Sequence, residues 1–245
     1  MRNLLIFMLL VAVFVLGKRS CHFNNFGFGG VSGSGPVQTE TRSISGFHAI
    51  DLDISGDVEV TIGDQFSVEI SAQQNLLPLL KTSLKDGALR IYADDNFNSS
   101  ESIKIRVTAP AFDQFSVGGS GTLRVLNALH AEKMELNIAG SGDIFCLQAD
   151  FGTLATNIAG SGSIELGGKA NDMKSDISGS GDVKAKTLTA NSLVVEIAGS
   201  GTVTADVMTN LRADISGSGD VFYSGSPSVD TNISGSGSVK KIAVQ

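Results

Sequence analysis

The chain has no tryptophan, two tyrosines, four prolines and two cysteines in 245 residues. Two cysteines cannot supply a disulfide framework, so packing and hydrogen bonds must hold the fold. The three histidines, His22, His48 and His130, are dispersed, and no metal-ligand spacing links them. Lysine and arginine number 18 against 25 acidic residues, and no basic cluster falls on a repeated segment. That argues against nucleic acid and anionic membrane surfaces as partners. No Ser-His-Asp or Cys-His order stands out, and no Gly-rich phosphate loop leads into a helix. Helix-forming stretches are scarce. Residues 75–80 are the best candidate, limited by Pro78.

Glycine, by contrast, is abundant at 29. Much of it sits in seven versions of one phrase, exemplified by Asn137-Ile-Ala-Gly-Ser-Gly-Asp143 and Asp176-Ile-Ser-Gly-Ser-Gly-Asp182. The first glycine of each Gly-Ser-Gly falls at 119, 140, 160, 179, 199, 217 and 235, in steps of 21, 20, 19, 20, 18 and 18 residues. A period near twenty with slight drift marks a solenoid, one supersecondary unit per repeat.

Each unit reads as strand, tight turn, strand and variable loop. Met134, Leu136 and Ile138 alternate with Lys133, Glu135 and Asn137, and Ile144 and Cys146 continue the alternation beyond the turn. A local hairpin is one reading of Gly-Ser. Near-identical phrases at fixed phase are better explained by stacking, each on its copy one coil below, which makes an all-β parallel β-helix of about 18–21 residues per coil. Its interior would hold two branched aliphatic columns, Val117, Ile138, Ile158, Ile177, Ile197, Ile215, Ile233 and Leu123, Ile144, Ile164, Val183, Val203, Val221, Val239. Cys146, at an interior position, packs as a small apolar residue. Outside, just after the turn, runs Thr122, Asp143, Ser163, Asp182, Thr202, Asp220, Ser238. Aspartate recurs only in alternate rungs, which keeps stacked carboxylates roughly 10 Å apart and has a purely structural explanation.

In chain order, residues 1–20 form a leader. One basic residue and the apolar run 4–16 suit an export signal better than a membrane span. Cys21 after Ser20 matches a lipoprotein cleavage site and is the lipidation candidate, with an uncleaved anchor or ordinary secretion as the alternatives. Lys18 and Arg19 depart from that motif. Apart from such an anchor, no membrane contact is expected. Residues 21–40, glycine-rich, read as a flexible tether. Residues 41–115 read as less regular β coils that cap one end of the aliphatic columns. In them Ser55-Gly56-Asp57 is an abbreviated copy of the repeat that lacks one Gly-Ser pair, and 94–101 is a polar loop. Residues 116–245 are the repeat β-helix. At its far end Lys240 and Lys241 suit protection of an exposed edge, the alternative being a partner or a second copy there.

The ordered motifs Phe47-His-Ala-Ile50, Ser55-Gly-Asp-Val-Glu-Val-Thr-Ile-Gly63, Asn75-Leu-Leu77 and Asp86-Gly-Ala-Leu-Arg-Ile91 precede the Ser-Gly-Ser-Gly-Asp repeats and the terminal Ile233-Ser-Gly-Ser-Gly-Ser-Val-Lys-Lys-Ile242. Together they resemble the DUF2807 family, the head GIN domain of auto-transporter adhesins, from about residue 41 onward. The resemblance implies a right-handed β-helix on an exported or surface protein. It carries over no catalytic residue and no cofactor.

Three chemistries can be weighed on the repeats. Calcium wants six to eight oxygens, whereas Thr or Ser replaces the aspartate at 122, 163, 202 and 238. Polysaccharide cleavage would need paired acids such as Asp143, Asp182 and Asp220, but no out-of-pattern acid, arginine or histidine interrupts their ladder. What remains is a non-catalytic, exported binding module of the cell envelope or outer surface. Its contact face to a glycan or extracellular protein would be Thr122, Asp143, Ser163, Asp182, Thr202 and Asp220. A passive structural role in the envelope is the alternative.

Overall fold

The computed structural model describes residues 30–243; every regular element among them is a strand, and none is a helix. The leader, Cys21, His22 and the first part of the expected tether lie outside the described residues. Residues 114–241 wind about six turns of β-solenoid. Asp143–Gly160, Ser163–Gly179, Asp182–Gly199 and Thr202–Gly217 each carry one coil and pair in parallel with the next. Both aliphatic columns are in register from rung to rung. The side chains from Ile138 to Ile215 and from Leu123 to Val221 are buried. A third inward column, Met134, Leu154, Met173, Leu193 and Leu211, packs beside them.

The Gly-Ser-Gly corners separate one strand from the next, and each glycine is required for its own reason. The first has φ between +126° and +140° from Gly119 to Gly235, where an L side chain is strained. From the second repeat on, a Cβ there would also overlap the carbonyl oxygen of the equivalent glycine one coil below. The second glycine faces inward; a Cβ at Gly162 would lie 2.6 Å from Ile138 Cγ2. Stacked corners stay hydrogen-bonded to one another, as in Ser161 N–H to Gly140 O (2.9 Å) and Ser163 N–H to Gly142 O (3.1 Å).

The stretch expected as a variable loop forms a third side of the coil, since Ala149, Asp150 and Phe151 pair with Gly168, Lys169 and Ala170. Drift in repeat length is absorbed there, through irregularities between Glu165 and Gly167 and between Ala185 and Thr189.

The region before residue 114 contributes two more layers out of chain order. Ala49–Leu52 and Asp57–Ile62 stack on Gln114–Gly119 and Thr122–Val125. Ala88–Ala93 and Lys104–Ala109 stack on the opposite edge of that layer. Antiparallel strands then close the end: Leu80–Lys85 on Ala88–Ala93, Ser67–Gln73 on Lys104–Ala109, and Val37–Thr41 on Ser67–Gln73. The cap is filled by Phe47, Leu76, Leu77, Leu80, Phe112 and Phe115, all buried.

Several sequence expectations change here. The corner at Ser55-Gly56 is full length. Leu52 opposes Val117 and Asp57 opposes Thr122, so Ile54, buried, stands where the repeats have their first glycine. Residues 75–80 form hydrogen-bonded turns instead of a helix, with Leu79 and Leu80 N–H donating to Leu76 O. Pro78 supplies no N–H there, and Arg42 ties the turn down by donating to the Leu77 and Leu80 carbonyls. In the described part of the tether, Val31–Ser32 pairs with Phe97–Asn98 and Val37–Thr41 lies in the cap, so this stretch is held on the domain. The same pairing puts a short strand inside the polar loop 94–101.

At the far end, the last rung leaves Val229 and Ile233 each 39% exposed. Lys241 opposes Tyr223 in an inward column and reaches Ser226 Oγ at 3.5 Å. A charge placed inward on an edge strand discourages further pairing.

Candidate functional site

The strand that follows each corner presents two outward columns, because alternate residues of a strand share a face. The first contains every predicted face residue in one register: Thr122, Asp143, Ser163, Asp182, Thr202, Asp220 and Ser238. The structure extends it through Asp57 to Lys104. The predicted residues are half-buried, with carboxylates in every second rung. Thr122, Asp143, Ser163, Asp182 and Thr202 make no side-chain hydrogen bond or ion pair among the described residues. Only at the last rung does the column bond to itself, where Ser238 Oγ donates to Asp220 Oδ1.

The second column, two residues further along each strand, runs Arg106, Glu59, Arg124, Phe145, Glu165, Lys184, Thr204, Phe222 and Lys240. The sequence reading missed it. Its signal was the same period-two alternation, hidden because residue type changes at each rung. Arg124 lays its guanidinium over the Phe145 ring, 4.0 Å from the centroid, a favourable cation–π arrangement. Arg106 is engaged by Glu59 at 3.3 Å and Glu69 at 3.9 Å. Where the solenoid meets the cap the two columns frame an open groove of about 420 Å³, lined by Asp57, Glu59, Lys104, Thr122, Arg124, Asp143 and Phe145.

The strand before the corner presents a different face. Arg90, Asp51, Ser116, Asn137, Asn157, Asp176, Glu196, Asp214 and Asn232 share one column. Most of these side chains are engaged within the protein. Asn157 Nδ2 donates to Asn137 Oδ1 at 2.8 Å, and Asn137 Nδ2 reaches Ser116 Oγ at 3.4 Å. Lys174 pairs with Asp176 at 2.8 Å and Glu196 at 3.3 Å, and Arg212 with Asp214 at 3.0 Å. Burial, with help from Glu196, holds the Asp176 carboxyl above its usual range against the pull of Lys174. Burial and the nearby Asp53 do the same at Asp51.

Among the described residues no group of three or more histidines, cysteines and acids is arranged to hold a metal ion. His48 contacts Asp113 at 2.8 Å. His130 lies 3.1 Å from Asp150, which Lys169 also contacts at 3.1 Å. The Lys169 ammonium holds Asp150 below the usual carboxylate range. Burial pushes the Cys146 thiol up to about 12, far from nucleophilic chemistry. No described helix is long and apolar enough to cross a membrane.

The architecture is shared with solved structures. A Bacteroides fragilis protein described as a "putative adhesin" superposes with a TM-score of 0.80 at 24% identity, over 87% of this chain and 100% of that one. A Parabacteroides distasonis "putative adhesin" gives 0.70 at 23%, over 86% and 99%. A second P. distasonis structure, described as a "putative lipid binding protein", gives 0.74 at 25%, over 87% and 99%. No curated protein matches the chain. The family described as "Putative auto-transporter adhesin, head GIN domain" matches residues 46–227, well over half of the sequence. With the solenoid, its glycine corners and its cap in place, the chain belongs to that DUF2807 family.

Proposed function

We propose that this is an exported, non-catalytic surface module, adhesin-like in action, that contacts a glycan or an extracellular protein. The contact surface is the post-corner face carrying Thr122, Asp143, Ser163, Asp182, Thr202 and Asp220. The pre-corner face engages most of its polar side chains internally, through an amide ladder and ion pairs. The post-corner face holds carboxylates and hydroxyls in register and leaves most of them without a partner among the described residues. Rungs about 4.8 Å apart would let an extended ligand make many weak hydrogen bonds at once. The family description supports the same direction.

The test is capture of full-length protein, purified in mild detergent, on an array of glycans and extracellular-matrix proteins. Saturable capture is expected, weakened in the triple variant Asp143→Asn, Asp182→Asn, Asp220→Asn at an unchanged melting temperature. Capture undiminished in that variant removes this face from the binding surface. A blank array at high protein concentration leaves a passive envelope role.

A further inference from the structure

We propose that the groove at the cap end of this face is a recognition site for a glycan bearing an isolated carboxylate, with Arg124 as the residue that reads it. The inference rests on the binding role assigned above and adds the chemistry of the ligand.

The groove holds seven charged or reading groups in four rungs. Lys104, Asp57, Thr122 and Asp143 occupy one column, and Glu59, Arg124 and Phe145 the other. Of these, Glu59 is already engaged by Arg106. Of the remaining charges, Lys104 and Arg124 have no carboxylate partner among the described residues, and Asp57 and Asp143 have no cationic one. The site thus presents two open cations and two open carboxylates around one threonine hydroxyl.

Arg124 is the distinctive element. It is exposed, yet its guanidinium carbon sits over the Phe145 ring, 4.0 Å from the centroid. The ring contact restrains the guanidinium beside the groove without using its N–H donors, and a planar fork held in this way suits bidentate bonding to a carboxylate. Lysine could not reproduce that geometry. Phe145, which lines the groove with Arg124, adds apolar surface suited to the C–H face of a sugar.

The two aspartates limit the choice further. A polymer charged at every residue would place carboxylates against Asp57 and Asp143, which lie one rung, about 5 Å, to either side of Thr122. A sugar with one carboxylate and several hydroxyls avoids that repulsion, because its hydroxyls can donate to those aspartates. The pocket volume, about 420 Å³, lies within the range of small-ligand sites. An acidic sugar within a largely neutral chain fits; a polyuronate does not.

The experiment titrates full-length protein with 3′-sialyllactose, lactose, the methyl ester of 3′-sialyllactose and oligogalacturonate, followed by saturation-transfer NMR and calorimetry. The expected order is 3′-sialyllactose ahead of the other three by about tenfold, the scale of one charge-assisted fork. Arg124→Gln should bring 3′-sialyllactose down to lactose, and Arg124→Lys should recover only part of the loss. The methyl ester tests the carboxylate with no change to the protein. Equal binding of ester and acid, an undiminished Arg124→Gln, or preference for oligogalacturonate overturns the proposal. If 3′-sialyllactose is not bound while the array finds another ligand for this face, the acidic-sugar assignment falls and the binding role stands. If the array is also blank, both fall.

Discussion

Asp176→Asn should stabilise the protein at neutral pH, and the gain should fade on acidification. Asp176 stands on the pre-corner face between Asn157 and Glu196. Its Oδ2 accepts from Lys174 at 2.8 Å, while its Oδ1 is buried with no hydrogen-bond donor. An ionised carboxylate there suffers burial on one oxygen and the charge of Glu196 on the next rung, and these outweigh Lys174, so its pKa is raised. A group whose folded pKa is raised contributes stability below its unfolded value, and that contribution is lost as pH rises through the folded value. For Asp176 the window therefore opens near pH 3.8, its ordinary value, and extends upward. An asparagine keeps the shape and removes the charge. Its Nδ2 can extend the ladder that already joins Asn157 to Asn137. Relief of an unsatisfied buried acceptor is worth about 1–3 kcal/mol. Loss of the half-exposed pair with Lys174 costs about 0–1 kcal/mol, and Lys174 keeps Glu196 at 3.3 Å. The net gain is about 1 kcal/mol, a rise in Tm of about 2–4 °C for a chain of this size. Thermal unfolding of both proteins from pH 4 to pH 8 measures it. A less stable variant at pH 7, or a difference that does not change with pH, refutes the reasoning.

Two further outcomes follow from the packing. Gly160→Ala meets both a φ of +134° and the Gly140 carbonyl oxygen below, so it should destabilise by more than about 2 kcal/mol. Gly119→Ala has a similar φ of +131° but no atom within 4 Å of the added Cβ, and should lose only the backbone term of about 1–2 kcal/mol. Denaturant melts of the two variants side by side check the difference; equal losses would mean that stacking of the corners does not matter. Cys146, with its thiol pushed up to about 12 by burial, should resist iodoacetamide at pH 8 in the folded protein and react once unfolded. Mass mapping of the peptide containing Cys146 reads this directly, and rapid labelling of the native protein would contradict the burial.

What the sequence revealed follows from where repetition is strict. The interior isoleucine and valine columns and the glycine corners recur because each rung must match the one beneath it in shape, and that requirement is visible as a period. The third side of each coil tolerates irregularities, as at Ala185 and Thr189, so its ladder looked like a loop. Before residue 114 the constraint changes. The layer built by Ala88–Ala93 and Lys104–Ala109 lies outside the earlier Ala49–Leu52 and Asp57–Ile62 layer. No local pattern encodes that spatial order, because it depends on long-range pairing. Ile54 in a glycine's place disguised a full corner as a shortened one. On the candidate face the aspartate column stood out because it repeats. Arg124 over Phe145 did not, since that contact joins two different coils and occurs once.

Division of labour between the two faces, one to bind and one to hold the solenoid together, can be measured on one ligand. Saturation curves for the native protein, the post-corner variant Asp143→Asn/Asp182→Asn/Asp220→Asn and the pre-corner control Asp214→Asn, all on the same captured ligand, test it most directly. The post-corner variant should lose affinity while the control binds like the native protein. An equal loss in both, or a loss only in the control, would contradict it.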